Sequence, residues 1–386
     1  MDTNFSHQNS LRDLAALFLR LGITAFGGPA VHIAMMEEEV VRRKKWLTRE
    51  KFLDLLGAAN LIPGPNSTEM AIHIGFQRAG IPGLITAGVC FILPAVILVT
   101  GLAWAYVAFG DLPKMERFFY GLKPVMIAVI LQALWSLART ALKTRFLFFL
   151  SVFMLAAALA GLHEVVVIFL GGMISLLRIK TVSTHRESSK KHFLGALAFP
   201  ALMPGLVSAG SSASTSLTAG TLFWVFLKAG SLLFGSGYVL LAFLQADLVH
   251  RFHWLTENQL LDAITVGQIT PGPVFTTATF VGYVLMGTKG ALIATLGIFL
   301  PAFIFVGVSA PFIPKLRSSQ SMSAFLDGVN AASLSLMAVV TCHLGKLMYG
   351  EWLSSLILIG SLVALFKFRI PSPWLILAGG ALGLFK

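Results

Sequence analysis

The sequence predicts an all-α polytopic membrane protein of two homologous halves, each with glycine- and proline-broken helices or re-entrant hairpins. Three observations carry that prediction. The residues are 56% hydrophobic and only 12% charged, where a soluble chain of this length carries about twice the charge. The chain repeats itself at an offset of 208 residues. And the tripeptide Pro63-Gly64-Pro65 recurs as Pro271-Gly272-Pro273, each time interrupting an apolar helical stretch.

Composition narrows the class further. Mean hydropathy is +0.82, and runs such as 88–109 and 118–138 are long enough to cross a bilayer. The first residues, MDTNFSHQNSLRDL, are polar and lack a basic n-region, so no cleaved signal peptide is expected. Cys90 and Cys342 sit in apolar runs without a spaced framework, which speaks against disulfides and metals alike. The net charge of +12 gathers in loops, as cytoplasmic loops of a membrane protein require, and does not call for nucleic acid. No cofactor is expected.

The repeat is specific. Aligning 18–65 with 226–273 makes 17 of 48 positions identical, against about three or four by chance. The matches include Gly22/Gly230, Gly27/Gly235, Trp46/Trp254 and Asp54/Asp262. Beyond the tripeptide the offset becomes 207, pairing Gly80 with Gly287, Pro94 with Pro301 and Gly121 with Gly328. The chain therefore divides into an N-terminal repeat (1–178), a linker with a candidate extra membrane segment at 193–210 (179–218) and a C-terminal repeat (219–386).

Within the first half a helix is expected at about 11–26, broken at Gly27-Gly28-Pro29 and resuming over 30–45. Thr48 is placed to cap a helix that ends at Pro63. A new helix begins with Asn66, Ser67 and Thr68 as capping side chains and stops near Gly80. Spans follow at about 83–109, 118–138, 146–160 and 164–178, the last two as a short, tight hairpin. If residues 50–79 simply spanned, basic residues would divide evenly between the two sides. If they dip in and return, the split becomes fifteen against two, with 42–51, 78, 139–145 and 178–191 on the cytoplasmic side. The positive-inside rule favours the hairpin. In the second half charge supports inversion only weakly, and the preference for inverted repeats rests on their known use in alternating access.

The breaks are the candidate binding site. Helix restarts after each Pro-Gly-Pro expose backbone N–H groups and a positive dipole end at membrane depth, an anion site without a fixed charge. Asn66, Ser67 and Thr68 in one half, and Thr276 and Thr277 in the other, add donors. Asn60 and Gln268 are equivalent polar positions three residues before the tips. The upstream breaks, Gly27-Gly28-Pro29 and Gly235-Ser236-Gly237 with Tyr238, complete the set. Lys123, whose counterpart is Asn330, is a candidate to offset substrate charge. Coupling candidates are His32, Glu69, His73, Arg20 and Lys228. Snorkelling basic residues, core histidines and an ordinary helix N-terminal acid are the plain alternatives. Asp54 and Asp262 fit capping or packing as readily as coupling.

FGGPAVHI at 26–33, W-L-T at 46–48, the Pro-Gly-Pro at 63–65 and their second-half counterparts resemble the chromate ion transporter family in its long-chain, two-domain form. The resemblance implies a bacterial or archaeal inner-membrane protein, not an enzyme, that exports chromate, with sulfate as a related or competing anion. Lipid and a second copy of the chain are further candidate partners. Gly-Ser-Gly replaces Gly-Gly-Pro in the second half, and no histidine matches His32, so the halves are not equivalent. An oxyanion channel and a membrane-embedded lipid-phosphate enzyme are the competing readings. The enzyme lacks a metal motif and a nucleophile with a paired base.

Overall fold

The computed structural model describes residues 3–26, 28–110, 112–183, 216–233, 239–309, 320–346 and 351–385. These residues are helical, with no strand among them. The first half comprises α1 (Thr3–Thr24), α2 (Pro29–Glu37) running into a π-helix (Glu38–Arg43), α3 (Arg49–Ala59), α4 (Asn66–Phe109), α5 (Pro113–Ala141), α6 (Arg145–Leu159) and α7 (Glu164–Ser183). The second repeats this order: α8 (Ala219–Leu232), α9 (Leu240–Leu244) with a π-helix (Gln245–Arg251), α10 (Glu257–Ile269), a 3₁₀ turn (Val274–Thr276), α11 (Thr277–Ser309), α12 (Gln320–Lys346), α13 (Trp352–Phe366) and α14 (Ser372–Gly383). Among the described residues four helices, α4, α5, α11 and α12, are long and apolar enough to cross a membrane. They are repeat-equivalent pairs. The candidate segment at 193–210 lies outside the described residues.

α4 is not one rod. At Ala79 and Gly80 the backbone leaves helical geometry, Gly80 with φ 60°, and the chain doubles back so that Gly75 and Gly83 touch backbone to backbone. Eight residues of straight helix would separate them by about 12 Å. Met286 and Gly287 repeat the turn in α11, where the Thr279 and Thr295 hydroxyls meet at 2.7 Å across the fold-back. Glycine is needed at both turns for the positive φ and along the seam for the close approach.

With 66–78 thus reversed, α3 and the first part of α4 form a hairpin whose tip is Pro-Gly-Pro. At its base Lys44 and Arg78 each lie over the Trp46 ring, 5.1 Å from its centroid. The hairpin expected over 50–79 is the observed path of the chain. Thr48 caps α3 as expected, accepting from the Lys51 N–H at 3.2 Å. The second cap expectation fails. Pro65 is the N-cap of α4 and Asn66 its first helical residue, because the proline already holds the extended conformation a cap requires. α6 and α7 are joined by a tight turn over 160–163 and touch each other, as expected of a hairpin. α7 runs on to Ser183, and both lean chiefly on α12 of the other half.

That exchange is general. α5 packs on α13 and α14, α12 packs on α6 and α7, and the spanning parts of α4 and α11 face each other. Leu84 neighbours Gly307 while Gly88 abuts Phe303, so the two equivalent spans run antiparallel and the repeats are inverted. Small residues permit the interlock. Gly121 on α5 meets Gly379 and Gly383 on α14, and its equivalent Gly328 on α12 meets Gly171 on α7. Gly121→Val should force α5 off α14 and cost about 1–3 kcal/mol. A lower melting temperature of the detergent-solubilised protein would report it.

Candidate functional site

The first break is built by the end of α1 and the start of α2. Gly28, at φ 83°, turns the chain into Pro29, the first residue of α2, a position where proline loses no hydrogen bond. The Ala25 carbonyl, left over at the helix end, accepts two hydrogen bonds, from His32 Nε2 at 3.0 Å and from the Gly272 N–H at 3.0 Å. A carbonyl only accepts, so His32 carries its proton on Nε2. Its ring is also edge-on to Phe91, with centroids 5.5 Å apart. Gly27, Gly235, Ser236, Gly237 and Tyr238 lie outside the described residues.

The second tip thus docks on the first break, and the converse also holds. The Gly64 N–H donates to the Leu233 carbonyl at 2.6 Å, and Leu233, at the end of α8, is the repeat equivalent of Ala25. Both tips are buried. Gly64 has φ 146° and Gly272 φ 91°; a Cβ on Gly272 would stand 2.9 Å from the Ala95 Cβ, and one on Gly64 3.7 Å from the Ala302 Cβ. Ala95 and Ala302 are again equivalents, next to Pro94 and Pro301. Each Pro-Gly-Pro is therefore seated between the first helix and the central span of the opposite half.

The two tips differ in side chains. In the first, Asn66 Nδ2 donates to Asn60 Oδ1 at 2.7 Å and ties the hairpin neck. Ser67, Thr68, Glu69 and His73 are buried. Glu69 Oε1 lies where a Cβ on Gly64 would fall. Neither carboxylate oxygen of Glu69, neither ring nitrogen of His73 and not the Thr68 hydroxyl has a hydrogen-bond partner. In the second tip the helix restarts at Val274 as a 3₁₀ turn, and the α-helix proper begins at Thr277. Thr276 and Thr277 donate their hydroxyl protons to the Pro273 and Val274 carbonyls, both at 2.8 Å. Gln268 and Thr277 border a void of about 10 Å³ walled by Leu240, Leu244, Ile264 and Val274, room for one water.

The basic candidates are each engaged by other side chains. Lys123 donates to Asn258 Oδ1 at 3.0 Å and lies 4.0 Å from Asp262 Oδ1, while Tyr106 donates to the other Asp262 oxygen at 3.0 Å. Asp262 precedes Pro271 by nine residues, about 13 Å of helix. Asn330, the counterpart of Lys123, is half-buried on α12. Arg20 pairs with Glu39 at 2.5 Å, and Arg43 joins at 3.1 Å. Lys228 pairs closely with Asp247, and Arg251 joins at 3.7 Å. All six positions correspond at offset 208, so this basic–acid–basic cluster is a repeated feature binding the first helix to the π-helix. Sequence reading picked out the two bases and missed their acids, although the same offset pairs Glu39 with Asp247. Among the described residues no three His, Cys, Asp or Glu side chains group as metal ligands.

Comparison with known proteins agrees with this architecture. A family profile described as chromate transporter matches the chain twice, over residues 12–176 and 220–384. A chromate transport protein of Cupriavidus metallidurans is 32% identical over 382 residues, covering 97% of this chain and 92% of its own. A probable chromate transport protein of Synechococcus elongatus is 30% identical, covering 97% and 95%. An uncharacterized transporter of Bacillus subtilis, YwrB, is 30% identical over 186 residues and matches 47% of this chain with 94% of its own length; it corresponds to a single repeat. No solved structure matches.

Proposed function

Given that this chain belongs to the chromate transporter family, we propose that it is a secondary active transporter that exports chromate across the inner membrane, with sulfate as a related or competing substrate. The divalent oxyanion is bound at the two Pro-Gly-Pro tips. The observation that carries this reading is the reciprocal pair of cross-half hydrogen bonds, Gly64 to Leu233 and Gly272 to Ala25. Each tip N–H is held by a single carbonyl at the end of a broken helix, so an anion can take it over when the hairpin moves. The first-turn N–H groups behind Pro65 and Pro273 and the dipoles of their helices point the same way.

Inverted repeats supply the two states. The hairpins enter from opposite sides, so releasing one tip while keeping the other seated opens the site to one side at a time. The proline-glycine backbone can exist at membrane depth because it is buried in protein. Electrically, a dianion leaving a negative interior gains about 2.3 kcal/mol per charge per 100 mV, which drives export without ATP.

The test is uptake of labelled chromate into everted membrane vesicles, with and without excess sulfate and an uncoupler, beside a variant with Pro63, Gly64 and Pro65 all replaced by alanine. Saturable uptake that sulfate inhibits, the uncoupler collapses and the variant loses is the expected result. Uptake of sulfate but not chromate would overturn the substrate, and full activity in the variant would overturn the site.

A further inference from the structure

The first tip contains a buried acid that the anion-binding reading does not use. Glu69 is 0% exposed, sits in the first turn after Pro-Gly-Pro and places a carboxylate oxygen against Gly64, and both of its oxygens lack a partner. His73, one helical turn on along the same face, is equally buried and equally unpartnered. Register set by the equivalent turns at Gly80 and Gly287 puts Thr276 opposite Glu69 and Phe280 opposite His73. The second tip therefore has no titratable counterpart. A protein that only needed to kink a helix would have no use for an acid at one tip alone.

The surroundings give this acid nothing to pair with. On the helices in contact with α4, the buried or half-buried titratable groups include His32 on α2, Asp54 on α3, Asp262 on α10 and Tyr283 on α11, while Arg12, Asp13 and Arg20 on α1 are exposed; Asp262 is taken up by Tyr106 in the spanning part of α4, and Glu37 on α2 pairs with Arg49. None of these hydrogen-bonds to or ion-pairs with Glu69. Arg78 is held on Trp46 at the hairpin base. An ionised carboxylate here would stand beside the arriving dianion with no donor or counter-charge to offset the repulsion.

We propose that Glu69 is the proton-coupling group of the transporter. The oxyanion binds at the first tip only when the Glu69 carboxyl is protonated, so that one proton moves with each anion in the same direction, and His73 passes that proton between Glu69 and the base of the hairpin. This rests on the tip-binding reading above. Because coupling is reciprocal, bound anion favours proton uptake to the degree that the proton favours the anion. One site on one half gives one proton per anion, and the cargo carries one net negative charge instead of two.

The experiment uses the purified full-length chain in proteoliposomes, with labelled sulfate as the probe because its charge is constant through neutral pH. A pH dye reports protons and an imposed potassium potential reports charge. In the native protein, sulfate entry should carry protons with it, and sulfate–sulfate exchange should fall as the pH rises. In Glu69→Gln exchange should persist, lose its pH dependence and move no protons, and the charge moved per anion should double. Should Glu69→Gln fail to fold, Glu69→Thr, which copies Thr276 and can close its hydroxyl on Pro65 as Thr276 does on Pro273, gives the same readout. His73→Phe, copying Phe280, should slow proton-linked entry more than exchange. Native protein-mediated sulfate movement without protons, or protons that still move in Glu69→Gln, would overturn the coupling role and leave tip binding standing. Absence of any sulfate or chromate movement by the folded native protein would overturn the tip-binding reading itself.

Discussion

Gly272→Ala should reduce anion transport on the order of 100-fold while leaving the protein in the membrane. At φ 91° an alanine carries about 1–3 kcal/mol of backbone strain. Its Cβ would stand 2.9 Å from that of Ala95, and such overpacking costs a further 1–3 kcal/mol or so. The least costly relief is for the tip to back away, which breaks the bond from the Gly272 N–H to Ala25 and moves the N–H that the anion is proposed to use. Gly64→Ala should be similarly severe, because its Cβ would stand 2.4 Å from Glu69 Oε1 and push the tip off its bond to the Leu233 carbonyl. Gly28→Ala is the control. That glycine also has a positive φ, 83°, but open space where a Cβ would go, so only the strain remains and transport should fall far less. Vesicle uptake normalised to the amount of inserted protein ranks the three. Equal losses at Gly28 and Gly272 would show that the seat between the halves does not matter.

The second large effect concerns stability. Lys228→Ala should destabilise the protein by about 3 kcal/mol, whereas the repeat-equivalent Arg20→Ala should cost about 0–1 kcal/mol. The chemistry is the same and the exposure is not. Lys228 and Asp247 are 12% and 2% exposed, against 53% for Arg20 and 11% for Glu39. Removing Lys228 strands a buried carboxylate whose remaining cation, Arg251, is 3.7 Å away. Arg20 gives up an ion pair already shared with water, and Arg43 stays on Glu39 at 3.1 Å. Adding Asp247→Leu to Lys228→Ala should restore most of the loss, since no charge is then left uncompensated. Thermal unfolding in detergent would read all three variants.

Much of the molecule is legible in its sequence. Glycine and proline act on the backbone of their own few residues, so Pro-Gly-Pro, Gly28-Pro29 and Gly80 marked the breaks and turns where they occur. Charge asymmetry identified the hairpin over 50–79, because positive loops sort by side whatever the packing. The 208-residue repeat established two halves. The Asn66 cap was misread because local propensity at one residue was outweighed by the proline before it.

What the sequence could not determine is which partner each group finds. Ala25 and Gly272, Leu233 and Gly64, Lys123 and Asp262, and Tyr106 and Asp262 are all separated by more than a hundred residues. Nothing in a local pattern says that α5 crosses to α13 and α14 while α12 crosses to α6 and α7. The repeat hid this, since two halves that exchange helices have the same sequence as two that do not. Composition, periodicity and motif spacing therefore determined that this is a membrane protein of two broken-helix halves. Only the tertiary structure decided that each tip is seated in the opposite half, that Arg20 and Lys228 are held by acids, and that Glu69 is buried without a partner. Hydrogen bonds and ion pairs act over a few ångströms, and it is the packing of distant helices that brings those groups within reach.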